Sequence, residues 1–190
     1  MNWTVLLVFL ALVAVAMAVE RTGARVTLSL RFKGDLKRES RWFAQYGQGA
    51  CAVVVAALIW ELDARRFAHG FPAAVWVLAA VFAAALISLG VKKLAGRVRP
   101  GHEGAGAFLG PHLGHANRKE SFPSSHTASA VAMTVVLSHL YPPAAVVFWA
   151  MAGICGALRY LLDAHWPSDV LAGLALGYAI GGAACWMMGT

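Results

Sequence analysis

The sequence predicts an all-α membrane protein: six transmembrane helices in one bundle, with an interfacial segment after the first helix. Three observations predict it. Charged residues make up 13% of the 190, about half of the roughly 25% usual in a soluble domain. Hydrophobic residues make up 59%. Runs without Asp, Glu, Lys or Arg cover 1–19, 42–60, 67–91, 121–158 and 170–190, and about 20 apolar residues in a helix cross a bilayer core.

The elements follow in order. The run 121–158 is long enough for two spans, and Pro142-Pro143 divides it. The expected spans are about 2–19, 44–62, 72–91, 123–141, 143–162 and 168–188, forming a single domain over 1–190. The first span carries a small-residue pattern, Ala16-Met17-Ala18, like a signal cleavage site. No Lys or Arg precedes its apolar run, and that run is long for a signal peptide, so an uncleaved helix is expected. Residues 20–46 carry seven basic and three acidic side chains. Val26, Leu28, Leu30 and Phe32 alternate with polar positions there, and Leu36, Trp42 and Phe43 follow. This reads as an interfacial segment whose cations meet headgroups, although a solvated loop fits it as well. The connection 101–122 is rich in Gly and His and has no strong periodicity, as in an extramembrane loop or lid.

The net charge of +7 points to anionic lipid or a phosphate substrate rather than nucleic acid, because no aromatic-interleaved basic face lies outside the expected spans. Cys51, Cys155 and Cys185 all fall inside spans and have neither disulfide nor zinc spacing. His102, His112 and His115 are loosely ligand-spaced, but only Glu103 supports them, so no metal is expected.

Six crossings put the ends of spans 3 and 5 and the starts of spans 4 and 6 on one face. Polar clusters sit at all four ends. The first is "KKLAGRVRP", 92–100. If it is helical, Lys92 and Arg99 share a face at i and i+7, while Lys93 and Arg97 point elsewhere and snorkel to the interface. The second is "SFPSSHTAS", 121–129. Pro123 suits a first helical turn and Ser121 a cap before it. The free N–H groups of that turn make an anion site. Ser124 and Ser125 add hydroxyls, and His126 adds a proton donor near neutral pH. The third is "RYLLDAHWPSD", 159–169. Arg159 closes span 5. His165 precedes Asp169 by four residues, so the carboxylate can hold one ring nitrogen and leave the other free to attack. Asp163 is a rival carboxylate with no partner at matching spacing.

Lys92, Arg99 and Arg159, a helix N-terminus and two hydroxyls fit a phosphoryl dianion. A nucleophilic histidine with a second histidine as proton donor fits transfer through a phosphohistidine.

The pattern resembles the type 2 phosphatidic acid phosphatase (PAP2) superfamily. That family's motifs are Lys, six residues, Arg-Pro; Pro-Ser-Gly-His; and Ser-Arg, five residues, His, three residues, Asp. They correspond to "KKLAGRVRP" from Lys92, "PSSH" at 123–126 and "LRYLLDAHWPSD" from Leu158. The resemblance implies a metal-independent, cofactor-free lipid phosphatase. In it His165 attacks phosphorus, Asp169 orients His165, and His126 protonates the leaving oxygen. Lys92, Arg99, Arg159, Ser124 and the Ser125 N–H hold the phosphoryl oxygens. Ser125 stands where the family has glycine, and Leu158 where it has serine. A lipid phosphotransferase would use the same groups. A vanadate-dependent haloperoxidase shares the motifs but is expected on a soluble scaffold. A non-catalytic lipid-phosphate binder or transporter is the remaining reading.

The resemblance also implies a bacterial inner-membrane protein with its site facing the periplasm. The positive-inside rule points the other way, since the 20–46 cluster shares the site's face and the opposite face has only Arg65 and Arg66.

Overall fold

The computed structural model describes residues 2–23, 34–64, 70–114 and 116–189. Seven helices account for most of these residues: α1 Trp3–Arg21, α2 Gly34–Ala44, α3 Gly49–Ala64, α4 Gly70–Ala95, α5 Ser125–Leu140, α6 Ala145–Leu161 and α7 Pro167–Met187. Short 3-10 turns at Gln45–Gly47, Asn117–Lys119 and Pro142–Ala144 join some of them.

Local chemistry sets the helix ends. The Asn2 side chain accepts from Thr4 N at 3.0 Å and caps α1. Gly96 stops α4 with φ +59°, and a Cβ there would lie 2.2 Å from Gly110 O. Only glycine meets both demands. Pro142 opens the turn before α6. Pro167 is the first residue of α7, where its missing N–H costs nothing.

α5 is the central helix. It packs against α4, α6 and α7, and residues 127–134, Val136 and Leu137 are buried. α1 lies on α7, α2 on α6 and α3 on α4. The tightest seam runs between α5 and α7. A Cβ on Gly173 would sit 2.6 Å from Ser124 O, one on Gly177 2.3 Å from Ala128 O, and one on Gly181 2.6 Å from Val135 Cβ. Spacing of i, i+4 and i+8 puts the three on one helical face, where small residues let backbones approach. Large apolar side chains such as Leu7, Val15, Leu86, Val146 and Trp186 face outward, as lipid-facing surfaces do.

Four described helices are long and apolar enough to cross a membrane: Trp3–Arg21, Ala73–Ala95, Pro142–Leu161 and Pro167–Met187. The segments Arg38–Gly47 and Gly49–Leu62 make a fifth candidate if taken together, bent by 64°. The expected straight span over 44–62 is therefore broken at Gln48, where Gly47 and Gly49 flank an extended residue. The expected span 123–141 folds as a 16-residue α5, about 24 Å long. It starts later than expected because Ser124, after Pro123, is the cap. The expected interfacial segment contains α2, with Trp42 and Phe43 exposed. The alternation at 26–32, the Arg65-Arg66 pair and His115 lie outside the described residues.

Candidate active site

The site is built at one end of the bundle by a strapped loop. Beyond Gly96 the chain is extended and hydrogen-bonded to the loop that follows. Val98 N donates to Ala107 O at 2.9 Å, Arg99 N to Arg118 O at 2.9 Å and Ser121 N to Arg97 O at 3.1 Å. The expected lid, 101–122, is thus tied down across the end of α4.

Backbone carbonyls of this loop, with Ala164 O from the turn before α7, hold two of the expected cations. Lys92 Nζ donates to Glu120 O at 2.7 Å. Arg99 donates to Asn117 O at 2.8 Å, Ala164 O at 2.7 Å and Glu120 O at 3.2 Å. Burial lowers the Arg99 pKa from its usual value. Arg159 Nε is buried with no hydrogen-bond partner among the described residues. Lys92 lies in the field of both Arg99 and Arg159. Neutral carbonyls orient these cations without cancelling their charge, so together they attract an anion.

The mouth of α5 faces the same place. Ser124 is fully buried, and its hydroxyl accepts from Thr127 N at 3.5 Å and from Thr127 Oγ1 at 2.9 Å. Its own proton remains to donate. The expected cap, Ser121, does not cap; its hydroxyl donates to Asp169 Oδ2 at 2.5 Å. The acidic partner wins because a charge-assisted bond is the stronger one. His126, one residue into the helix, lies in the field of Arg159, Lys92 and Arg99.

His165 is 1% exposed. Its Nδ1 lies 2.8 Å from Ser121 O and 3.6 Å from Asp169 Oδ2. The carbonyl only accepts, so Nδ1 carries the proton and Nε2 keeps its lone pair. The hold on this nitrogen expected of Asp169 is therefore taken by Ser121 O; Asp169 Oδ2, at 3.6 Å, reaches the ring through Ser121, whose carbonyl and hydroxyl link the two. Asp169 Oδ2 accepts from Trp166 N at 2.9 Å, and Oδ1 accepts from Arg97 Nη1 at 2.5 Å. Arg97 continues the network. Its Nη1 donates to Ser168 Oγ at 2.6 Å and its Nη2 to Glu20 Oε2 at 2.7 Å. Glu20 in turn accepts from Ser168 N at 2.9 Å and Ser168 Oγ at 2.6 Å. Phe108 and Trp166 cover the guanidinium at 5.0 and 5.4 Å.

Burial takes the His165 pKa down to about 3; Asp169 opposes the shift, and Lys92 and Arg99 reinforce it. An unfolded histidine titrates near 6.5. Between about 3 and about 6.5 the unfolded chain binds a proton that the folded chain refuses, so this residue's contribution to stability rises with pH across that window. The slope is at most about 1.4 kcal/mol per pH unit. The unfolding temperature in detergent is expected to fall between pH 7 and pH 5, and to fall less in His165→Asn. Equal acid sensitivity in the two proteins would show that the ring is not held neutral.

All eight expected site residues, Lys92, Arg99, Ser124, Ser125, His126, Arg159, His165 and Asp169, lie at this end of the bundle. Two expectations need correction. Arg97 does not snorkel: it is 3% exposed and bonded to two carboxylates. Lys93 donates to Glu120 Oε1 at 2.8 Å and Gly114 O at 2.6 Å. The helical-face argument fails here because α4 ends at Ala95 and the chain turns at Gly96. Glu20 is not among the expected site residues, and Ser121, expected only as a cap, joins Asp169 to His165. A carboxylate directly after the uncharged run 1–19 was the one available signal for Glu20. Asp163, the rival carboxylate, sits at φ +53° with Oδ1 buried and without a hydrogen-bond partner among the described residues. No group of three or more His, Cys, Asp or Glu suited to a metal occurs among the described residues.

A family model described as the PAP2 superfamily matches residues 73–190. The chain belongs to the PAP2 superfamily. That match contains every site residue above except Glu20, so α1 adds a carboxylate from outside the matched PAP2 region. A lipid A 1-phosphatase of Rhizobium etli is 42% identical over 99 residues, covering 51% of this chain and 42% of the relative. The chain thus spans less than half the length of that relative. A decaprenylphosphoryl-5-phosphoribose phosphatase of Mycobacterium tuberculosis is 28% identical over 146 residues, 75% of each chain. Among solved structures, a PAP2 type phosphatidylglycerolphosphate phosphatase from Bacillus subtilis superposes with a TM-score of 0.63. The superposition covers 96% of this chain and 93% of that one at 18% identity. That likeness is one of fold.

Proposed function

We propose that this PAP2 protein is a membrane phosphatase that hydrolyses a lipid phosphate monoester or diphosphate through a phosphohistidine, without a metal or cofactor. The observation that carries the reading is the convergence of Lys92, Arg99 and Arg159 on the α5 mouth beside a neutral, buried His165. In the first step His165 Nε2 forms a bond to phosphorus as the ester P–O bond breaks, and His126 gives its proton to the leaving oxygen. In the second step water attacks phosphorus, the P–N bond breaks, and His126 takes the proton from that water. The bound dianion offsets the three cations around His126, which favours the charged ring when a proton is needed. Ser124 Oγ and the N–H of Ser125 hold the phosphoryl oxygens with the cations.

The outward-facing apolar helices support a substrate whose tail stays in lipid while its phosphate enters the polar end of the bundle. They also support an integral membrane protein of six crossings in one domain, with the bent α2–α3 pair and the short α5 each counted as one. The site faces the periplasm of a bacterial inner membrane in this proposal. The similarity to a lipid A 1-phosphatase and to a decaprenylphosphoryl-5-phosphoribose phosphatase supports lipid-linked phosphates as the substrate class.

The test is phosphate release by the purified protein in detergent, with chelator present. The panel is phosphatidic acid, phosphatidylglycerol phosphate, a polyprenyl diphosphate and a lipid A 1-phosphate. Release from at least one lipid is expected, with loss by a factor on the order of 10³ or more in His165→Ala. Release that persists in His165→Ala would remove the nucleophile assignment. Release only with a lipid acceptor present would make the protein a phosphotransferase.

A further inference from the structure

We infer that Gln48, at the break between α2 and α3, is a positioning residue for the proton donor His126; this rests on the reading of His126 just given. Four observations carry it. The Gln48 Nε2 and His126 Nε2 atoms are 3.3 Å apart. The turn before Gln48 is docked on the backbone of His126 itself: a Cβ on Gly47 would lie 2.0 Å from His126 O and 2.9 Å from its Cα. The same turn is pinned twice more, by Tyr46 Oη to Thr134 Oγ1 at 3.1 Å and by Cys155 Sγ to Ala44 O at 3.4 Å. Gln48 itself has extended backbone, φ −97° and ψ 151°, and belongs to neither helix.

The sequence setting adds weight. Gln45 and Gln48 are the only amide side chains in the uncharged run 42–60. A polar side chain within a segment bound for a membrane is costly unless it finds a polar partner. The 64° bend sacrifices a straight span, and what it places next to the reacting end of α5 is this amide.

The chemistry explains why an amide suits the place. His126 gives and regains its catalytic proton at Nδ1, so Nε2 keeps its hydrogen in both states and donates it to the Gln48 amide, which accepts through Oε1 once turned so that oxygen rather than nitrogen faces the ring. Gln48 therefore keeps the ring plane fixed in both protonation states and does not titrate. The proposed reaction needs both states of His126, one in each step.

The experiment uses the full chain in detergent and two phosphate monoesters. One is a short-chain phosphatidic acid, whose alkoxide leaving group needs a proton. The other is 4-nitrophenyl phosphate, whose leaving group needs little help. Gln48→Leu is expected to lose about 10-fold or more in kcat on phosphatidic acid, within the roughly 10²–10⁴ range of general acid–base catalysis. It should lose less than about 3-fold on the nitrophenyl ester, with KM little changed on both. Gln48→Glu, which keeps the shape and adds a charge that favours the imidazolium, should move the basic limb of the pH–rate profile upward by about one unit. Equal losses of Gln48→Leu on both esters, or none, would overturn the assignment, as would an unmoved limb in Gln48→Glu. His126→Ala with undiminished turnover of phosphatidic acid would instead overturn the proton-donor reading beneath it. No wild-type turnover of either ester overturns both.

Discussion

Arg97→Met is expected to lower the unfolding temperature by roughly 10 °C and to cost most of the activity. Arg97 is the shared partner of two buried carboxylates, Asp169 and Glu20, at 2.5 and 2.7 Å. Methionine matches much of the volume but leaves both anions unpaired. Breaking a buried ion pair from one side costs about 3–5 kcal/mol, and for a chain of this size about 2–4 °C accompanies each kcal/mol. The activity loss follows from Asp169, which moves or takes up a proton once its counter-charge is gone. The check is thermal unfolding in detergent beside phosphate release. Glu20→Leu added to Arg97→Met removes one of the two orphaned carboxylates and should restore part of the stability. The coupling between the two sites should be on the order of 1 kcal/mol or more. Simple additivity of the two changes would show that Glu20 and Arg97 do not act as a pair.

Gly173→Ala and Gly177→Ala should each destabilise by about 1–3 kcal/mol, although each adds one methyl group to a helix that alanine favours. The added Cβ would meet Ser124 O at 2.6 Å in one and Ala128 O at 2.3 Å in the other. Both obstacles are backbone, which cannot rotate away, so α7 must move off α5. Gly173 lies opposite Ser124, at the reacting end, and Gly177 one turn deeper. Gly173→Ala should therefore lose more turnover per unit of lost stability. Gly153→Ala in α6 is the control, since a Cβ there meets nothing within 4 Å. It should stabilise by roughly 0.5–1 kcal/mol, the helix-propensity gain alone. The same substitution then has opposite signs on two helices. Unfolding temperatures of the three variants decide this, and a stable, fully active Gly177→Ala would mean that the α5–α7 seam is looser than described.

Much of the site was legible in the sequence because its residues come in short, local motifs. His165 and Asp169 are four apart, and Ser124 to His126 form one helix mouth. Parity of six expected spans predicts that the clusters meet at one end, where the hydrogen bonds among them lie. What was not legible depends on where a helix stops. The face shared by Lys92 and Arg99 assumes a helix through residue 99, and Gly96 ends it. Past that point the alternation of an extended chain replaces the 3.6 period, which is why Arg97 turns inward. Glu20 was unreadable for another reason. Its partners, Arg97 and Ser168, lie 77 and 148 residues away, and no local spacing encodes so distant a meeting. The break at Gln48 shows a third kind of loss. Hydropathy over 42–60 reports an apolar stretch and is blind to a 64° bend, because the two glycines beside Gln48 barely alter the average.

Main-chain oxygens, more than side chains, align the reacting groups. Glu120 O holds Lys92, Asn117 O and Ala164 O hold Arg99, and Ser121 O holds His165. Every amino acid carries that oxygen. Within the strap over 101–122, the positions that act only through their carbonyls can vary in side chain, whereas Phe108, Glu120 and Ser121 also act through theirs, and an inserted residue would shift the Asn117, Glu120 and Ser121 carbonyls out of register. For anyone redesigning substrate choice, this makes the strap a surface to vary at its other positions, leaving Phe108, Glu120, Ser121 and the positive-φ glycines in place, and a poor one to lengthen or shorten.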